Sequence, residues 1–357
     1  MPRFAQLLSP VTLGVLRLPN RVIMAPMTRS RAHRDGTIPP IYAEYFAQRS
    51  SAGLMITDAT MVSPQAIGYL NSPGMWTDEH VEAWREVTGA VHAVGGVIAL
   101  QLMHCGRVSL TSLQPDQSAP VSASAVQARN TRLFTPAFVE EPAAEPRALE
   151  SAEIPQVVQQ FAQAARRGKA AGFDAVEIHG ANGYIIDQFL RDGVNQRHDR
   201  YGGSEENRSR LLLEVTEAVA KEFGADRTGI RLSPTSQFND MRDSNPLSTF
   251  GTALHHLAAL DLAWAHLADS GDTDLTHRLR DSYGKPFMLN GAFSAESAND
   301  VIRSELAIAV SFGRPYIANP DLVERFEMDA ELNVADPATF YGGDARGYTD
   351  YPDMAAR

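Results

Sequence analysis

Eight short strand-like stretches, most of them apolar nearly throughout, alternate along this chain with longer stretches of helical spacing. The apolar runs are Arg21–Met27, Leu54–Thr60, Val97–Met103, Ala175–Gly180, Thr228–Pro234, Leu262–Ala268, Pro286–Phe293 and Ile308–Phe312. Runs this short and this uniformly apolar predict strands buried on both faces, as in a parallel sheet with both faces covered. Between them, Asp78–Val94 opens behind Thr77 as N-cap, with Glu79 and Glu82 near the positive end of the helix dipole. Ser151–Ala171 carries Ile154, Val157, Val158, Phe161 and Ala165 on one stripe. Ser204-Glu-Glu-Asn207 starts another helix, whose apolar face includes Leu211, Leu212, Val215 and Val219, and Ser294-Ala-Glu-Ser297 caps a further one. About eight strand–helix units in a chain of this length predict a closed (β/α)8 barrel. An open doubly wound sheet is the competing arrangement, and no Gly-x-Gly-x-x-Gly follows the first strand to support it.

Two parts exceed the minimal barrel. Residues 11–20 (VTLGVLRLPN) read as an N-terminal hairpin that closes the barrel bottom. The excursion after strand 3, from His104 to Glu150, is too long for an ordinary strand–helix loop, and long loops on that side tend to cover the mouth of such a barrel. No linker divides the chain, so residues 1–357 read as one domain.

Charge narrows the function. With 32 Lys and Arg against 43 Asp and Glu, the formal net charge is −11, which argues against nucleic acid as a partner. A few well-placed basic groups still suffice for an anionic ligand. Cys105 is the only cysteine, so neither an intramolecular disulfide nor a Cys-rich metal site is available. The start, MPRFAQLLSP, lacks the apolar core of a secretory signal, and no stretch approaches the roughly 20 apolar residues of a membrane span. The expectation is a cytoplasmic protein without a membrane partner.

In a (β/α)8 barrel, chemistry sits at the C-terminal ends of the strands. There the sequence offers Ala25-Pro26-Met27-Thr28-Arg29 after the first strand, and Gln101 then His104-Cys105-Gly106-Arg107 at the third. The fourth ends in His179-Gly180-Ala181-Asn182-Gly183-Tyr184, the fifth holds Arg231 before Ser233-Pro234, and the eighth leads into Gly313-Arg314-Pro315.

These same stretches carry a family likeness. From Pro19-Asn20-Arg21 to Gly347-Tyr348-Thr349-Asp350-Tyr351-Pro352 the chain resembles the Old Yellow Enzyme family. The block His179–Arg208 (HGANGYIIDQFLRDGVNQRHDRYGGSEENR) and the run Phe312–Leu322 (FGRPYIANPDL) are its most specific parts. The resemblance implies FMN over the barrel mouth, NADPH or NADH as hydride donor, and an α,β-unsaturated carbonyl, with nitroalkenes or nitrate esters as further acceptors. It implies that His179 and Asn182 donate to the substrate carbonyl, polarising the enone and stabilising the developing enolate. Tyr184 matches the proton donor, a phenol that is protonated at neutral pH. For the cofactor, Ala25, Pro26, Met27 and Ala59 line the ring through backbone and small contacts, and Thr28 matches a hydrogen-bond partner near N5 and O4. Gln101 suits the pyrimidine edge. Arg231 matches the cation beside N1, its bland alternative being a salt bridge closing the rim. Gly291, Ala292, Gly313 and Arg314 match the phosphate site. Tyr69, Met103 and Tyr348 are expected to line the substrate pocket.

Some positions depart from the pattern or distinguish subgroups. Met103 stands where many bacterial relatives carry Trp, placing a flexible thioether where a flat indole is usual. Thr28 sits where one subgroup has a flavin-tuning Cys; Cys105 is elsewhere and is not that residue. Two other function classes stay in view. A lyase or isomerase gripping a phosphorylated substrate at Gly313-Arg314 lacks a strand-end Lys for Schiff-base chemistry. A non-catalytic flavin carrier leaves His179, Asn182 and Tyr184 without a purpose. The residues do not reveal the oligomeric state.

Overall fold

The computed structural model describes residues 3–268 and 271–354. Eight parallel strands follow one another around a barrel: β1 (Val22–Met24), β2 (Leu54–Ile56), β3 (Ile98–Met103), β4 (Ala175–His179), β5 (Thr228–Leu232), β6 (Trp264–Ala268), β7 (Phe287–Asn290) and β8 (Ala307–Phe312). Ser311 of β8 pairs with Ile23 of β1, which closes the ring. All eight expected strands are present; seven are shorter than their runs, and the eighth begins one residue earlier, at Ala307.

The closed form follows from how side chains alternate. Outward positions such as Val22, Leu100, Val176, Ile230 and Val310 join one large apolar cluster with the surrounding helices. These helices are α1 (Ile41–Ala47), α2 (Asp78–Ala93), α3 (Ile154–Ala170), α4 (Arg210–Phe223), α5 (Pro246–Ala258), α6 (Thr273–Tyr283), α7 (Ala295–Arg303) and α8 (Leu322–Glu327). Inward positions near the strand starts, among them Ile23, Ala99, Ala175, Trp264, Met288 and Ala309, form a second cluster inside the barrel. The expected hairpin is there: Val11–Leu13 pairs antiparallel with Leu16–Leu18, and Leu13, Leu16 and Leu18 plug that second cluster. Its turn needs Gly14, at φ +57°, because a Cβ there would lie 1.8 Å from the Asp226 carbonyl oxygen.

Capping reads as expected at several helix starts. The Thr77 side chain accepts from the His80 N–H, and His80 completes the capping box; Ser294 and Ser297 form a second box. The third long helix begins at Ile154 instead of Ser151, since Pro155 fits only a first turn and Ser151 bonds Asp199 instead. Ser204 caps a single turn, Glu205–Arg208, and the chain restarts as α4 at Arg210.

The excursion is anchored instead of loose. It contains a hairpin, Arg132–Phe134 with Glu140–Pro142, and a parallel bridge of Val121–Ser122 with Arg147–Ala148. Buried Arg107 ties it across the barrel mouth, donating to the carbonyls of Val126 (3.0 Å), Asn239 (2.8 Å) and Asp240 (2.9 Å). The C-terminal segment is clamped similarly. Arg29 donates to the Gly347 carbonyl (2.8 Å), Arg31 to that of Thr339 (3.0 Å), and Arg49 to that of Tyr348 (3.2 Å). No helix among the described residues is long and apolar enough to cross a membrane.

Candidate active site

The register of the sheet gathers the expected residues at one end of the barrel. His179, the last residue of β4, pairs with Arg231 of β5, which pairs with His266 of β6; Glu177 pairs with Gln101 of β3.

The loop after β4 is held tightly. Asn182 adopts φ +57°, its N–H donates to Ser233 Oγ (2.7 Å), and its carbonyl accepts from the Asn239 side chain (2.8 Å). Gly183 follows at φ +79°, where a Cβ would lie 2.7 Å from Met241 and 2.8 Å from Asn239. Its N–H donates to Asp187 (2.8 Å), which is locked in a buried ion pair with Arg191 (2.8 Å). With both backbone groups engaged, the Asn182 side-chain amide is left without a protein partner.

His179 is buried and its tautomer is fixed. The Ala181 N–H donates to Nδ1 (3.3 Å), so the neutral ring carries its proton on Nε2, which has no protein partner. Desolvation, reinforced by the Arg231 charge, lowers its pKa to about 3. The ring is therefore a neutral donor throughout the physiological range. Tyr184 lies edge-on to it, with ring centroids 4.9 Å apart. Tyr184 Oη donates to Tyr69 Oη (3.1 Å), and burial, then the neighbouring Tyr69, holds the Tyr184 pKa well above its ordinary value. Burial raises Tyr69 likewise. Both phenols keep their protons. His179 Nε2–H, the Asn182 amide and the paired phenols make a set that can bind an oxyanion and supply a proton beside it.

The residues expected at the cofactor lie on or just after the barrel strands. Thr28 is half-buried with a hydroxyl free of protein partners. Gln101 points its amide N–H at Glu177 (2.8 Å), leaving its carbonyl oxygen available. Arg231 is buried and donates to Asn290 Oδ1 (2.7 Å), while its Nη1 lies 3.2 Å from His266 Nε2. No carboxylate among the described residues lies within ion-pair distance of Arg231, so the rim salt bridge is not what holds it. A buried cation without an ion-pair partner is costly and calls for an electron-rich ligand. Ala25 and Ala59 are buried, and Pro26 and Met27 half-buried; the Ala25 N–H donates to the Phe312 carbonyl (3.0 Å), joining β1 to β8 beside Gly313. A side chain at Gly313 would sit against Met27 Sδ at 3.7 Å. Gly291, Ala292 and Arg314 are exposed, and the Arg314 guanidinium has no protein partner. A hydroxyl, an amide carbonyl, an unpaired buried cation and a free guanidinium on one rim fit a planar, hydrogen-bonding ligand with a phosphate tail.

One expected pocket residue is elsewhere. Tyr348 is 0% exposed, stacked on Tyr45 at 3.9 Å between centroids, with the Arg31 guanidinium over its face at 4.4 Å. It anchors the C-terminal segment and does not line the site. Met103, the last residue of β3, is buried like Gln101 on the same strand and joins the large apolar cluster. Conversely, Tyr341 is 71% exposed and lies near Tyr69. Sequence reading missed it because nothing in the segment's spacing tells an exposed Tyr from a buried one. It also missed Glu177, His266, Asn290 and Ser311, which alternate inward on their strands with period two alongside Gln101 and Arg231.

Comparison with known proteins agrees with this geometry. The pattern of the NADH:flavin oxidoreductase / NADH oxidase family matches residues 6–333. Putative 12-oxophytodienoate reductase 11 of Oryza sativa subsp. japonica is 42% identical, with 99% of this chain and 98% of that protein covered. 12-oxophytodienoate reductase 2 of Arabidopsis thaliana is 41% identical, covering 98% and 96%. Among solved structures, morphinone reductase in complex with tetrahydroNAD superposes with a TM-score of 0.95 at 46% identity, covering 98% of each chain. The old yellow enzyme homologue from Zymomonas mobilis gives 0.93 at 41%, covering 98% of this chain and 99% of that one. The barrel, its rim chemistry and these likenesses agree: the chain is an oxidoreductase belonging to the NADH:flavin oxidoreductase / NADH oxidase family.

Proposed function

We propose that this protein is an ene-reductase that reduces the activated C=C bond of α,β-unsaturated carbonyl compounds at the expense of NADH or NADPH. FMN, when bound, supplies the carrier that accepts hydride from the nicotinamide and delivers it to the alkene. Thr28, Gln101 and Arg231 would hold its ring, with Ala25, Pro26, Met27 and Ala59 beside it, and Gly291, Ala292, Gly313 and Arg314 its phosphate.

The observation that carries the reading is the pair of unengaged donors, His179 Nε2–H and the Asn182 amide, beside a protonated phenol. Two donors on one carbonyl oxygen draw electron density from the β-carbon and stabilise the enolate that forms when hydride arrives. Tyr184 then gives its proton to the α-carbon, and Tyr69, hydrogen-bonded to it, steadies the phenolate left behind. A protein that only stored flavin would gain nothing from leaving both donors unpaired. The plant relatives and morphinone reductase are named for reductions of ketone-bearing molecules, consistent with an enone substrate.

The test is product analysis. With NADPH or NADH and 2-cyclohexenone, cyclohexanone should accumulate, and the allylic alcohol should not. Formation of the alcohol, or no turnover by the FMN-loaded protein, would reject the assignment.

A further inference from the structure

Beneath the rim, the barrel interior holds a fully buried carboxylate that the reaction above does not use. Glu177 lies on β4 and accepts three N–H donors: Gln101 Nε2 (2.8 Å), Trp264 Nε1 (2.9 Å) and His266 Nδ1 (2.8 Å). Trp264 reaches it across β5 only because residue 229 is glycine; a Cβ there would lie 2.0 Å from the indole. His266 extends the network upward. Its Nε2 accepts from Ser311 Oγ (2.8 Å), and Arg231 Nη1 rests on the ring at 3.2 Å. Asn290 closes the circuit, accepting from Arg231 (2.7 Å) and donating to the Ser311 carbonyl (3.0 Å).

Burial alone would raise the Glu177 pKa, but His266 first, then the Arg231 charge and the Trp264 N–H, outweigh it and hold the group ionised. His266 is pushed down by burial and Arg231, so it is a neutral ring that donates to Glu177 and accepts from Ser311. The charges in the barrel are thus one anion, Glu177, and one cation, Arg231, separated by a neutral imidazole.

We propose that Glu177, acting through His266 and Gln101, is the positioning residue that sets the reduction potential and affinity of FMN from below. It opposes part of the positive field that Arg231 offers the ring, and it fixes Gln101 so that the carbonyl, not the amide N–H, faces the ligand. The proposal rests on the FMN reading above.

Three variants test it through properties of the bound cofactor. Glu177→Gln keeps the shape but removes the charge, leaving Arg231 less opposed, and reduction makes the ring more negative. The potential should rise, and FMN affinity should fall roughly tenfold as Gln101 loses its fixed orientation. Glu177→Asp keeps the charge and should retain a near-wild-type potential even if the melting temperature drops. Trp264→Phe removes one N–H donor from the carboxylate, leaves its negative field less countered, and should lower the potential. If Glu177→Gln does not fold, the opposite sign expected of Trp264→Phe decides the question. Melting temperatures that fall in all three while potentials stay unmoved would make Glu177 a packing residue and overturn the proposal. A wild-type protein that takes up no FMN would instead defeat the cofactor reading, so the two failures are separable.

Discussion

Tyr184 donates its phenolic hydrogen to the hydroxyl of Tyr69 at 3.1 Å, and the two rings meet edge to face with centroids 6.2 Å apart. The arrangement keeps the proton of Tyr184 on oxygen while giving it a partner that can rotate to stabilise the phenolate once the proton leaves. Tyr184→Phe should therefore slow reoxidation of the reduced enzyme by an enone by about 10²–10⁴-fold. Reduction of the enzyme by NADPH or NADH, which needs no acid, should change little. A nitroalkene, whose nitronate product can take its proton from water, should be affected least. Stopped-flow measurement of each half-reaction checks this; equal slowing of both would mean that the phenol only packs.

His179 and Asn182 are the proposed oxyanion donors, so para-substituted phenols should place their oxygen between them and give a long-wavelength charge-transfer band. Replacing both residues with Ala should abolish the band while FMN stays bound. Because the His179 pKa is lowered to about 3, the wild-type band should not titrate with a histidine-like midpoint between pH 5 and 8. Normal phenol binding by the double variant would remove these residues from the oxyanion role.

Arg231→Met should lower the potential of bound FMN, since the cation without an ion-pair partner favours the more negative, reduced ring. Loss of stability with an unmoved potential would assign Arg231 a structural task. A potentiometric titration beside a melting curve separates the two.

Buried histidines set the acid limit of stability. Desolvation lowers both His179 and His104 to about 3, well below their unfolded value. The unfolded chain therefore binds more protons below pH 6.5, and stability is lost as pH falls from there, by about 2 kcal/mol for each group at pH 5. Asp58, raised by burial to about 6, works in the opposite sense between its unfolded value and pH 6, offsetting about 1 kcal/mol of this at pH 5. The melting temperature should fall between pH 6.5 and 5, and His104→Asn should make that fall shallower. A variant curve parallel to wild type would contradict the burial of a neutral ring at 104.

Much of this was legible in the chain. The strands, the plugging hairpin and the strand-end residues follow from apolar runs and turn chemistry, while the roles expected of the His179–Tyr184 stretch came from its family resemblance. The interior polar layer was not legible, because a run such as Ala175–Gly180 reads as buried on both faces whether its inner face meets oil or a hydrogen-bonded carboxylate. Tyr348 misled for a different reason. Its segment has no regular period, and its burial depends on Arg29, Arg31 and Arg49, which lie some three hundred residues earlier in the chain. Long-range guanidinium–carbonyl bonds leave no local trace, so Tyr341 and Tyr348 could not be told apart until the segment was seen docked.

The cofactor itself can be identified directly. The protein should be yellow when purified and should release FMN, not FAD, on denaturation, since the free Arg314 guanidinium beside Gly313 suits a terminal phosphate. Arg314→Ala should weaken FMN retention without altering the spectrum of what remains bound. Chromatography of the released flavin decides the matter, and FAD as the main species would overturn the assignment of the rim.

The central claim is that one site accepts reducing equivalents from a nicotinamide and passes them to an activated alkene. It is tested most directly by following the visible spectrum of the FMN-loaded protein under anaerobic conditions. Addition of one equivalent of NADPH or NADH should bleach the flavin band, and subsequent addition of 2-cyclohexenone should restore it with one equivalent of cyclohexanone formed. A band that bleaches but does not return with the enone, or that never bleaches, would contradict the account.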